Sequence, residues 1–519
     1  MKHFFLSALL FALLFTAEAE HIPGKLLFSF DFNNYDSLKC WSGASNMKWE
    51  PTGGKNNSGC VSFNCSQITD LFAGIDLPMK SVSGELLVLE GWIDTSKLAA
   101  PQRSYLGPKV ILAKEYPGGT GTHEIKKKEY GVPGWRRFLI TCDVPPVITR
   151  VTLKLGVQGT VGTLRFDDLK IYKLSKKKNV KLRPEFRAKK LQKSPQYRGV
   201  MSGGDFSEKA FQTLRDWNVN LMRFQITSNG IENITEAGFR AGVKRSLERF
   251  DRVLPLARKY GIKMILDLHY GPGTGINKVY SNSLNWEPAQ QKLLIQIWRE
   301  IASRYKNEPL IYGYDILNEP REDHYEYQPG NDRWQGLAEK ICAAIREIDP
   351  HTPIIVEPIL WGSIAGLKQL QPIQQPNIIY SFHFYDPHIY THQNVPGLKN
   401  NKEWTYPGII GGVLWNREKM YQEIQPVIDF QKKHNVPIFV GEFSAVRWAP
   451  GADLYLKDLI SIFEENGWDW TYHAFREWRG WSLEAYDNRG NEKFNPDMNK
   501  RKKVVLEAFA KNLPISSQK

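Results

Sequence analysis

After its first fifteen residues the chain has no long uninterrupted apolar run, which excludes a helical membrane span, because crossing a bilayer takes about 20 such residues. Cysteine is scarce, with five in 519 residues, and no spacing among them fits a zinc site. Four of the five (Cys40, Cys60, Cys65, Cys142) fall in the first 150 residues and predict one or two disulfides there if the chain is exported. Cys342, flanked by Ile341, Ala343 and Ala344, reads as a buried inert thiol. A basic face interleaved with aromatics is also missing, so the net charge of +14 does not signal nucleic acid. Ten Lys or Arg residues between Lys173 and Lys193 face a single acid, Glu185, and this one segment holds most of the excess. It reads as a solvated connector.

What is present starts with an address. Met1-Lys2-His3, the run Phe4 to Phe15 and then Ala17-Glu18-Ala19 make the charged, apolar and small-residue parts of a secretory signal cut after Ala19. Twelve residues are too few for an anchor. The mature chain, from residue 20, is expected to be secreted (extracellular or periplasmic), soluble and monomeric. With 42% hydrophobic residues it has enough apolar mass for more than one core.

Residues 20–174 predict an all-β sandwich: short alternating stretches at Leu26–Phe32, Cys60–Asn64, Gly84–Ile93, Lys109–Ala113, Arg136–Cys142, Val151–Val157 and Thr163–Tyr172, separated by turn formers. Residues 175–195 are the basic linker. From 196 to 519 the pattern becomes strand then helix, with strands at Arg198–Met201, Leu221–Ile226, Lys263–Leu268, Ile311–Leu317, Ile354–Glu357, Ile378–His383, Ile438–Val440 and Trp470–Phe475. Eight strand–helix units predict a (β/α)8 TIM barrel, with its site at the carboxyl ends of the strands.

The residues at those ends are polar, and two are acidic: Arg223, His269, Asn318-Glu319-Pro320, His383 with Tyr385, and Glu442. Each alone has an ordinary explanation, such as a satisfied core histidine or a structural arginine. Two carboxylates on one rim suit glycosidic bond cleavage, which needs an acid and a nucleophile together. Glu319 is the expected acid/base, which needs a raised pKa. Glu442 is the expected nucleophile, kept ionised by Arg223 and by a hydrogen bond from Tyr385. Asn318 is placed to bind the hydroxyl beside the reacting carbon, and His269 and His383 to line the sugar or orient the carboxylates. Glu357 is a third rim acid, read as an arginine partner or a substrate contact.

In these motifs, and over residues 196 to 512, the chain resembles glycoside hydrolase family 5, the cellulase-like barrel enzymes. The resemblance implies a retaining mechanism on a β-linked polysaccharide, most simply an endo-β-1,4-glucanase, with no catalytic metal or cofactor. The same family includes β-mannanases and other β-glycanases, and a barrel that binds glycan without turnover is the alternative of another class. One position departs from the family pattern: the aromatic that usually floors the reacting sugar is replaced near Trp470-Thr-Tyr-His-Ala-Phe475 by His473 or Phe475, with Trp478 the expected substitute. The loop tryptophans Trp286, Trp361, Trp404, Trp415, Trp448 and Trp481 are expected to divide about equally between cleft and core. Leu164–Tyr172 with Phe28–Phe32 resembles the closing and opening strands of jelly-roll carbohydrate-binding modules. That resemblance implies a structural calcium at Asp31, Asp167 or Asp168, against the simpler reading of solvated edge acids. Sugar-stacking candidates there are Trp41, Trp49 and Tyr105.

Overall fold

A computed structural model describes residues 24–83, 85–103, 105–116, 119–125, 130–144, 148–174, 181–202, 204–227, 235–273, 287–322, 332–396, 402–495 and 497–513. The expected signal peptide and Trp286 lie outside these residues. The chain divides into two compact units, the first ending at Lys177 and the second beginning at Lys178.

In the first unit eight antiparallel strands form one connected sheet. Its two longest, Cys60–Asp76 and Arg150–Leu174, pair along most of their length, and the latter also carries Gly24–Phe30, Leu86–Leu98 and Gly107–Tyr116. Alternate residues such as Leu87 and Leu89, Val110 and Leu112, and Leu153 and Leu155 meet in one core, the period-two pattern of strands with one buried face. Sequence reading splits Arg150–Leu174 in two at its glycines. Those glycines bend the strand without ending it: Gly159 and Gly162 have φ of 59° and 119°, and a Cβ on Gly162 would lie 2.0 Å from the Lys97 carbonyl oxygen.

The expected disulfides are absent. Cys60 and Cys65 are buried free thiols, Cys40 is an exposed one, and burial pushes the Cys60 thiol up to about 12. Asp31, Asp167 and Asp168 do not gather into a cation-sized cluster. Asp167 accepts from Lys55 N–H and Ser58 Oγ at 2.8 and 2.7 Å, Asp168 pairs with Lys170, and Asp31 caps the Asn33 N–H. Of the sugar-stacking candidates, Trp41 is a core residue, Trp49 is half-buried with its indole N–H on the Phe32 carbonyl, and Tyr105 is exposed.

The second unit is a closed parallel barrel: β1 (Arg198–Ser202), β2 (Leu221–Ile226), β3 (Lys263–Leu268), β4 (Ile311–Asp315), β5 (Ile354–Val356), β6 (Ile378–Phe384), β7 (Ile438–Phe443) and β8 (Asp469–Tyr472), with β8 pairing back to β1. Besides the single turn His388–Thr391, the α-helices among the described residues of this unit are α1 (Glu208–Asp216), α2 (Glu236–Tyr260), α3 (Pro288–Tyr305), α4 (Trp334–Arg346), the single turn α5 (Ile364–Leu367), α6 (Arg417–His434), α7 (Ala452–Glu465) and α8 (Lys500–Phe509). This is the (β/α)8 TIM barrel. Local chemistry sets the helix ends: Ser207, Thr235, Asn416 and Asn499 cap orphan N–H groups at the starts of α1, α2, α6 and α8, and Gly261 closes α2 in the left-handed conformation.

From Lys181 onward the basic segment is not a free linker. Ala188 exchanges hydrogen bonds with Asn435, Gln374 bridges Lys181 and Arg183, and Leu182 is buried. The charges of this stretch point to solvent while its backbone is fixed to the barrel. No helix among the described residues is long and apolar enough to cross a membrane.

Candidate active site

The barrel interior at its carboxyl end is organised by Arg223. Every residue of β2 is buried, and the Arg223 guanidinium lies among carboxylates from four other strands or their ends. Nε donates to Asp315 Oδ2 at 2.9 Å and Nη1 to Glu442 Oε1 at 2.8 Å. Nη2 reaches Glu357 Oε1 at 2.8 Å, Asn318 Oδ1 at 3.0 Å and Asp267 Oδ1 at 3.1 Å. A planar fork of five N–H donors that stays charged is the side chain able to serve this many acceptors. Burial works against the charges here: it pushes Asp315 up, with Arg223 opposing and Glu357 and Asp267 adding to the rise.

Glu319 and Glu442 face each other across this network. A carboxylate oxygen of each lies with a ring nitrogen of His383 in a group spanning no more than 4.8 Å, close enough for the two carboxyl groups to serve one glycosidic bond as a retaining pair. It is the single group of three or more His, Cys, Asp or Glu side chains this close among the described residues. Glu319 sits just past β4 with φ of 46°, a costly backbone for a non-glycine residue. It is held by the bond from its N–H to Glu357 Oε2 at 2.8 Å. His383 on β6 joins the carboxylates, with Nδ1 2.9 Å from Glu319 Oε1 and 3.6 Å from Glu442 Oε2, and Nε2 3.1 Å from Glu357 Oε1. The Tyr385 hydroxyl donates to Glu442 Oε2 at 3.0 Å.

Their proton affinities diverge. Burial, then the charge of Glu442, pushes Glu319 up against the opposing His383. Burial would also raise Glu442, but the charges of His383, His473 and Arg223 hold it well below the usual carboxylate range. The surroundings thus push the two proton affinities apart, Glu319 up and Glu442 down.

The other expected residues fall around this pair. Asn318 is buried against Arg223, and His269 pairs with Asp267 through Nδ1 at 2.8 Å. Trp478 is 37% exposed and belongs to an aromatic row, 6.1 Å from Trp448 and 4.9 Å from Trp481. Trp481, not Trp478, packs against His473 and Tyr385. Trp361 is exposed beneath the Arg321 guanidinium, on a turn where Leu360, Trp361 and Gly362 all have φ near 60° and Gly362 accepts from the His383 N–H. Sequence reading missed Asp267 and Asp315 as partners of Arg223, although isolated acids inside apolar strands were a signal. It also missed Glu477, which accepts from Gln225 Nε2 at 3.1 Å and faces His473.

Residues 188–477 match the sequence model of Cellulase (glycosyl hydrolase family 5). Endoglucanase C of Acetivibrio thermocellus is 30% identical over 296 residues, 48% of this chain and 84% of that protein. Cellodextrinase A of Ruminococcus flavefaciens is 24% identical over 304 residues, 54% of this chain and 84% of that protein. Among solved structures, Thermotoga maritima Cel5A in complex with cellobiose aligns with a TM-score of 0.47 at 23% identity, over 60% of this chain and 97% of that one.

Proposed function

The chain belongs to glycosyl hydrolase family 5, and from that premise we propose that it is an endo-β-1,4-glucanase in which Glu319 is the acid/base and Glu442 the nucleophile. The short gap between the two carboxylates carries this reading. In the first step Glu442 attacks the anomeric carbon while Glu319 gives its proton to the leaving oxygen; in the second Glu319 takes a proton from the water that displaces Glu442. Tyr385 and Arg223 orient the nucleophile. His383 couples the pair, and Asn318, held by Arg223, is assigned to the neighbouring hydroxyl of the sugar. The names of the relatives, an endoglucanase and a cellodextrinase, support a β-1,4-glucan substrate.

The test is reducing-end release from carboxymethyl cellulose, mixed-linkage glucan and mannan, followed across pH. The glucans are expected to be cut and mannan to lag. Activity rises through an acid limb below the usual carboxylate range, set by Glu442, and falls through an alkaline limb above it, set by Glu319. Products from mannan alone would overturn the substrate assignment.

We also propose that the enzyme is secreted and that its N-terminal unit binds carbohydrate. Support for the latter is the all-β sheet and its exposed rings, Tyr105 and Tyr35, the second edge-on to Trp49 at 5.9 Å. Replacing both Tyr35 and Tyr105 with Ala in the full chain should weaken adsorption to insoluble cellulose by about tenfold while leaving kcat on a soluble aryl cellobioside unchanged. Unchanged adsorption would refute the binding role.

A further inference from the structure

The site holds a charged chain that the reaction steps above do not use. His473 follows β8, its N–H bonded to the Phe443 carbonyl of β7 at 3.2 Å. Its Nδ1 lies 2.5 Å from the Tyr385 hydroxyl oxygen and 3.2 Å from Glu442 Oε2, and its Nε2 lies 3.5 Å from Glu477 Oε1. Glu477 is fixed by Gln225 of β2, one strand beyond β1. One imidazole thus stands between two carboxylates, and one of these is the nucleophile.

We propose that Glu477 is a positioning residue for the second half of the reaction, acting through His473 on Glu442. This rests on the double-displacement reading above. In the free enzyme both carboxylates keep His473 charged: burial alone would lower its pKa, but Glu442 and then Glu477 bring it up to about 10. Once Glu442 is esterified to the sugar its negative charge is gone, and Glu477 is the remaining anion against the imidazole. The other groups facing His473 are the neutral Tyr385, the Trp481 ring and His392, which burial brings down to about 3. Around Glu477 stand Gln225 and, farther off, His269 and Tyr270.

In the second step water attacks the anomeric carbon, its proton goes to Glu319, and the bond from that carbon to the Glu442 oxygen breaks, returning the electron pair to Glu442 as carboxylate. A cation at His473 stabilises that departing charge, so it accelerates this step. In the first step the same cation stabilises the attacking carboxylate in the ground state more than in the transition state, so its loss there is neutral or mildly favourable. Removing the Glu477 charge therefore slows the second half-reaction and leaves the first unchanged or slightly faster. A residue serving only the fold would slow both.

The experiment is pre-steady-state and steady-state hydrolysis of 2,4-dinitrophenyl β-cellobioside, whose good leaving group makes the first step fast, by wild type, Glu477→Gln, His473→Gln and the double variant. Glu477→Gln is expected to lower kcat by about tenfold, the effect of losing one close ion-pair partner. KM should fall in parallel, kcat/KM stay within about twofold, and a burst of dinitrophenol near one per enzyme molecule certify the fold. The double variant should match His473→Gln, because Glu477 acts only through that imidazole. Equal losses in kcat and kcat/KM, or effects that add in full in the double variant, overturn the role of Glu477. A wild-type enzyme that does not turn over this substrate overturns the glucanase reading and this inference with it.

Discussion

Glu442→Gln is expected to lose turnover by about 10⁴-fold or more while still folding and binding cello-oligosaccharides, as measured by kcat and by titration calorimetry. The amide matches the carboxylate in size but cannot attack an anomeric carbon. The fold should tolerate it: Arg223 keeps Asp315, Glu357 and Asp267 as partners, and His473 keeps Glu477. The loss corresponds to about 5.5 kcal/mol of transition-state stabilisation. Retained binding without turnover separates lost chemistry from a collapsed site. A wild-type protein that binds glycan and releases no product would instead favour a non-catalytic barrel.

Arg223→Met should be the most damaging single change to stability. It leaves Asp267, Asp315, Glu357 and Glu442 buried together without their common cation, and removing one partner of a buried pair typically costs about 3–5 kcal/mol. The pH dependence follows from the sign. Without Arg223, Asp315, already pushed up by burial, loses the charge that opposes the rise, so the folded state binds more protons and its stability falls as pH rises. Chemical denaturation should show a small deficit relative to wild type near pH 4 and the full deficit near pH 8. Arg223→Lys restores a charge but not the planar fork, so it should recover part of the stability and little of the activity. A deficit equal at both pH values would show that the network does not govern the fold this way.

Most of the barrel could be read from the sequence because its signal is local. Strands such as Leu221–Ile226 and Lys263–Leu268, buried on both faces, appear as short apolar runs, and α2 follows from periodicity with the Tyr260-Gly261 stop as punctuation. Glu319, Glu442, Arg223, His383 and Tyr385 could be picked out because a barrel brings all its strand ends to one rim. The N-terminal sheet was less legible, since a glycine that ends a strand and one that bends it look alike until the Lys97 backbone is seen beside Gly162. The clustering of cysteines in an exported chain suggested bridges, yet Cys60 and Cys65 are separate buried residues of one long strand. Glu477 could not be found at all, because its meaning depends on Gln225 reaching across from β2. Trp478 and Trp481 are three apart in one loop, and only packing decides which ring meets Tyr385.

The central claim is that Glu442 becomes covalently bound to the sugar. Treating the enzyme with 2,4-dinitrophenyl 2-deoxy-2-fluoro-β-cellobioside, which slows the second step more than the first, and then mapping its peptides by mass tests this directly. The expected result is one fluorocellobiosyl group per chain, on the peptide containing Glu442. A label on any other side chain, or an unlabelled enzyme that releases products with inverted anomeric configuration, would contradict the account.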